Sequence, residues 1–245
     1  SVVLASNADN DTIRLTGPTV ETSIWGGKGE DSIQLRNTVT DSYIYANSGN
    51  DTIDVTAAVQ NSFINGGEGD DRFSLTGTVT NSTLVAGSGA DLLTFNNVVG
   101  NTSIQGFGGS IADTSNDTVV VSSSANDINV TFAEGSDSLS LNKGATNATV
   151  AAAGGNDTVV AALTLASSSI EAGAGDDSLS ISVLSGSSLK AGSGADSINL
   201  SKAVSAQVYT NQDNDYITAT GDSTSSTLSG GQGVDSIFVA GNVTG

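Results

Sequence analysis

This chain has no cysteine, no histidine, no methionine and a single proline, Pro18. Without cysteine there are no disulfides and no thiol chemistry, although that absence does not set the compartment. Without histidine the chain lacks the commonest general base and the commonest transition-metal ligand. Basic residues number seven against 26 acidic ones, a formal charge of −19. That balance argues against nucleic acid or an anionic membrane surface as a partner, since both need a basic footprint. No run of about 18 apolar residues is present, so no membrane insertion is expected. The chain opens Ser-Val-Val-Leu, without Met or a basic leader, so a processed product or an excerpt of a longer chain is expected.

What the chain does have is a metronome. Aspartates recur at positions 11, 31, 51, 71, 91, 117, 137, 157, 177, 196, 215 and 235, in steps of 20 broken only by one of 26 and two of 19. A period in the twenties marks a solenoid, in which each repeat buries its apolar face only against its neighbours. Within a repeat, Ile33 and Leu35 alternate with polar neighbours, as a half-buried strand requires. Ile44 and Ala46 do the same in a second strand, with Tyr43 and Tyr45 facing the other way, and Val39 occupies the bend between them. Gly26 to Glu30 supplies the turn that closes the coil. The period of two, the β-branched residues and the frequent glycines speak against helix. The fold class expected is all-β: one right-handed parallel β-solenoid over residues 1–245, of about twelve 20-residue coils with two short strands each. At about 4.8 Å per coil the rod is roughly 58 Å long. The 26-residue step predicts a six-residue insertion loop near 106–116, and each 19-residue step predicts a tightened bend with register kept. Exposed strand edges at open coil ends invite pairing, so self-association or flanking domains of the same chain are the expected partners.

The closing turn reads Gly-Gly-Lys-Gly-Glu-Asp at 26–31, Gly-Gly-Glu-Gly-Asp-Asp at 66–71, Ala-Gly-Ser-Gly-Ala-Asp at 86–91 and 191–196, Ala-Gly-Ala-Gly-Asp-Asp at 172–177 and Gly-Gly-Gln-Gly-Val-Asp at 230–235. These turns resemble the RTX (repeats-in-toxin) calcium β-rolls, and the resemblance touches nearly every coil. It implies calcium as cofactor, held between coils by the closing aspartate and by turn carbonyls. Carried onto this chain it marks Asp11, Asp31, Asp51, Asp71, Asp91, Asp137, Asp157, Asp177, Asp196, Asp215 and Asp235, with Asp70 and Asp176 beside them. Asp71 and Asp177, each preceded by another aspartate, are the first sites to expect. Stacked carboxylates about 4.8 Å apart repel by about 1–4 kcal/mol per neighbouring pair at dielectrics between 80 and 20. A hard divalent cation with oxygen ligands reverses that sign. The alternative is a ladder in which each aspartate accepts turn N–H groups without metal, and Asn10, Asn50, Asn116, Asn156 and Asn214 suit such a ladder. The chain departs from the RTX pattern in carrying the motif at one bend only, so at most one column of ions is expected. Turns such as Asp9-Asn10-Asp11 and Ala46-Asn47-Ser48-Gly49 are also degraded.

Trp25 and Tyr45 take equivalent outward positions in adjacent coils, as do Tyr43 and Phe63. The four form an aromatic patch that reads either as a protein or glycan contact or as stacking that stiffens the first coils. The chain is also similar in turn placement to ice-binding regions of bacterial adhesins, but the relevant row (Lys28, Ser48, Glu68, Ser88) is too uneven and charged for ice. Polysaccharide-cleaving β-helix enzymes need acids clustered with a base; here the basic residues are scattered, so no catalysis is expected. Sequons such as Asn81-Ser82-Thr83 follow from composition. The function expected is therefore that of an extracellular, secreted or cell-surface structural repeat protein: surface-layer unit, filament or adhesin stalk. A glycan- or protein-binding module is the alternative.

Overall fold

The computed structural model describes residues 2–106 and 113–245. Among them there is no helix, and 31 strands form one continuous sheet in which each pairs in parallel with its counterpart one coil away. The expected stacked coils are what the chain forms. In the coil that opens at Asp31, Ser32–Leu35 is the first strand, Val39–Thr40 a two-residue second, and Tyr43–Ser48 a third that runs into the closing turn. The two expected strands are present; the short extra one arises because Val39 continues the ladder at the bend, pairing with Val59 and Thr19.

The alternation does what its spacing dictates. Ile33, Leu35, Val39, Ile44 and Ala46 are wholly buried, and the first four lie directly under Ile53, Val55, Val59 and Ile64 of the next coil. One continuous apolar core results, threading the rod from Ile24 to Ala219. Small residues at positions such as Ala46, Ala86, Ala172 and Ala191 keep it narrow beside the closing turn.

The irregular steps fall where the register places them. Ala161 pairs with Ile181 but Thr164 with Val183, so the residue missing from the coil of Asp177 lies at the bend after its first strand. The next coil behaves likewise between Leu200 and Ala203. In both, the first two strands are fused into single strands, Ser178–Ser185 and Ser197–Val204, as they already are in the full-length coil before them, Thr158–Ala166. The 26-residue offset holds from Leu92↔Thr118 through Gln105↔Thr131, which confines the six extra residues to the stretch after Gln105. The insertion loop expected near 106–116 has residues 107–112 outside the described residues.

Opposite the glycine turns, a second corner repeats. Asp41, Asn61, Asn81, Asn101, Asp127, Asn147 and Ser167 sit there with φ between 45° and 52°. Short polar side chains tolerate this left-handed region because they bond to nearby backbone.

Candidate metal column

The closing turn positions its aspartate by backbone geometry. Gly27, Gly67 and Gly87 have φ of 115°, 120° and 133°. A carbonyl of the preceding coil nests against each α-carbon, where a methyl group would collide with it. The chain then re-enters the rod, and the aspartate side chain turns inward, with Asp31, Asp51, Asp71, Asp91, Asp117, Asp137, Asp157, Asp177, Asp196 and Asp215 all buried. Asp11 and Asp235 are half-buried in the outermost turns.

The two oxygens of these carboxylates have different fates. Oδ1 accepts the backbone N–H of the aspartate one coil earlier: Asp31 N–H to Asp51 at 2.6 Å, Asp51 to Asp71 at 2.7 Å, Asp71 to Asp91 at 2.7 Å. The chain of bonds is unbroken from Asp11 to Asp235, across the insertion and both short coils. Oδ2 is buried and, among the described residues, without a hydrogen-bond partner at Asp31, Asp51, Asp71, Asp91, Asp137, Asp157, Asp177, Asp196 and Asp215. An unmet buried carboxylate oxygen is costly and calls for a proton or a cation. Burial accordingly pushes Asp71 up to about 7, against the bond from Asp51, with the charges of Asp51 and Asp70 adding to the rise. The same balance pushes Asp91, Asp117 and Asp157 up to about 8, Asp196 to about 7, and Asp51, Asp137 and Asp177 to about 6.

The fit to calcium is tested by the space beside Oδ2. A methyl group on Gly26 would lie 2.6 Å from Asp31 Oδ2 and 2.5 Å from the carbonyl oxygen of Ala46. Only glycine lets the Asp31 carboxylate and the Ala46 carbonyl crowd its α-carbon together, and both are hard oxygen donors of the kind calcium takes. Gly66 does the same between Asp71 Oδ2 and the Ala86 carbonyl, and Gly106 and Gly230 face the Oδ2 of Asp117 and Asp235. Among the described residues no three acidic side chains converge, so an ion here draws on backbone carbonyls, the ligands a hard cation accepts.

Asp70 and Asp176 stand elsewhere. Both are exposed, and each accepts the backbone N–H of the next coil, Ala90 and Ala195, at 2.8 Å. Asn10, Asn50, Asn116, Asn156 and Asn214 do the same for Glu30, Asp70, Ser136, Asp176 and Val234. The ladder that suited the asparagines therefore exists, as an outer rail beside the buried aspartate one.

A third ladder escaped the sequence reading. At the far corner Ser42, Ser62 and Ser82 are buried, each accepting the N–H of the residue one coil earlier at 3.1–3.2 Å. Each hydroxyl donates to the carbonyl two residues before it. The signal was there: serine recurs eleven residues after Asp31, Asp51, Asp71 and Asp157.

The aromatic residues meet as the register demands. Trp25 stacks on Tyr45 with ring centres 4.3 Å apart and planes 12° apart, and Tyr45 meets Phe63 at 5.5 Å. Tyr43 is in register with Phe63 and is exposed.

Comparison with known proteins gives one match. The family described as RTX calcium-binding nonapeptide repeat (4 copies) matches residues 41–58 and 60–77, in the coils around Asp51 and Asp71. No curated protein and no solved structure is similar enough to count as a match.

Proposed function

From a chain that carries RTX calcium-binding repeats on a twelve-coil β-solenoid, we propose a structural role outside the cell: a rod whose stiffness calcium sets. Surface-layer unit, filament subunit and adhesin stalk are the forms it fits, with further copies or flanking domains of the same chain as partners. The observation that carries the reading is the divided carboxylate. Oδ1 closes a ladder along the rod, while Oδ2 and the neighbouring carbonyls present an unbalanced column of oxygen. Calcium bound there supplies the positive charge that the column lacks. Asp31 and Asp71, each with a carbonyl oxygen crowding the same glycine as its Oδ2, would hold it first. The chain's own part is to exclude water from the column and to aim the carbonyls, which the positive-φ glycines do.

Metal that binds the folded coils and not the unfolded chain becomes folding energy. Adding chelator to the calcium-loaded chain should lower the melting temperature by on the order of 10 °C, and calcium should restore it. Small-angle scattering should give a rod of roughly 58 Å per chain in calcium, with sedimentation reporting longer assemblies. Identical melting curves with and without chelator would remove the metal from the proposal, and a compact scattering profile would remove the rod.

A further inference from the structure

A groove of about 500 Å³ lies on the far-corner side of the middle coils. Its walls include the left-handed corner residues Asn81, Asn101, Asp127 and Asn147, all exposed. They are tied in pairs: Asn101 Nδ2 donates to Asn81 Oδ1 at 2.8 Å, and Asn147 Nδ2 to Asp127 Oδ1 at 3.0 Å. Each amide keeps a second N–H, and Asp127 keeps a second oxygen. Thr83, Ser103, Asn129 and Thr149, one above another in register, also line it. That column continues downward into Phe63 and Tyr43, which places the aromatic cluster one coil beyond the groove lining.

The chemistry of the walls selects the ligand. Among the described residues no lysine or arginine lines the groove, so an anion has no counter-charge. Its one carboxylate already accepts from Asn147, which is too little for a cation. A protein partner needs apolar or arginine anchor points, and among the described residues of the lining the one large apolar side chain, Ile128, is buried in the core. Amides and hydroxyls that both donate and accept match a ligand covered in hydroxyl groups, and rings beyond one end match the C–H face of a sugar. We propose that this groove, with Tyr43 and Phe63 beyond its end, binds a linear neutral oligosaccharide lying along the rod. The site is independent of calcium, since it occupies the corner opposite the aspartate column.

The test is a calorimetric titration of the calcium-loaded chain with cellohexaose and with chitohexaose. Saturable binding of at least one is expected, weakened about tenfold or more in Asn101→Gly/Asn147→Gly, which removes two amides worth together at least 1.4 kcal/mol. Glycine takes the left-handed corner freely, so an unchanged melting temperature separates lost contact from lost fold. The inference is overturned if neither sugar binds, if the glycine pair binds as tightly as the parent, or if a neutral hexapeptide of Gly and Ser binds as tightly as the sugars. It is also overturned if Tyr43→Ala alone abolishes binding while the glycine pair retains it, since the contact would then be confined to the rings.

Discussion

At Asp71 one carboxylate oxygen accepts the amide of Asp51 while the other meets only burial. A proton or a cation satisfies that second oxygen, and pH selects between them. An unfolded aspartate titrates near 3.9, whereas the folded column is pushed up to about 6 at Asp51 and about 8 at Asp91. A folded pKa above the unfolded one gives stability that is complete below the unfolded value and is lost as pH rises through the folded values. With calcium chelated, the melting temperature should therefore be highest near pH 4 and fall steadily towards pH 8, the window set by the raised column values. Calcium at pH 8 should remove most of that fall. Asp71→Asn, which keeps an acceptor for Asp51 but cannot ionise, should shallow the chelator curve and lower the melting temperature in calcium. A chelated melting temperature that rises between pH 5 and pH 8 would contradict the assignment of the column as unbalanced charge.

Strands and turns obey different constraints. The strands need only alternation, so one residue slipped at the Ile181–Val183 bend leaves the pairing intact. The turn has no such slack, because a preceding-coil carbonyl rests on Gly67, whose φ is 120°. Gly67→Ala should cost about 1–3 kcal/mol from the backbone alone, with the collision adding to it. Asn61→Gly, at a corner with φ of 50°, should change stability by no more than about 1 kcal/mol. Thermal melts of the two variants measure the contrast directly.

The same difference explains what was legible in the sequence. Ile33, Leu35, Ile44 and Ala46 announced their burial through period two, and Gly-Gly-Lys-Gly-Glu-Asp announced its turn through residue types with few other uses. The outer rail was half visible in Asn50 and Asn156. The inward and outward facing of Asp71 and Asp70 was not, because adjacent aspartates look alike until backbone geometry aims them. The Ser42 ladder was hidden for a related reason: serine is common in this chain, and only burial distinguishes a structural hydroxyl from a solvated one.

For the whole molecule, the coil is the unit of construction, since each coil touches only the ones before and after it. Removing residues 52–71 joins Asp51 to Arg72, which occupies the same register position as Thr52. That deletion should fold and shorten the scattering length by about 4.8 Å. Removing residues 52–61 instead places a corner where a strand belongs, and circular dichroism should show a larger loss of β signal and a lower melting temperature than the whole-coil deletion.

The aspartate ladder also decides how such a rod bears load. Its N–H to Oδ1 bonds, like the strand pairing beside them, point from coil to coil along the long axis. Tension between the two ends is therefore carried in series, with every interface under the full force. Adding coils lengthens the rod without strengthening it. Failure starts at the weakest interface and proceeds by peeling, each released coil paying out roughly 60 Å of slack chain. Where calcium holds the interfaces, its concentration sets the peeling force, and a pulled rod dissipates work one coil at a time.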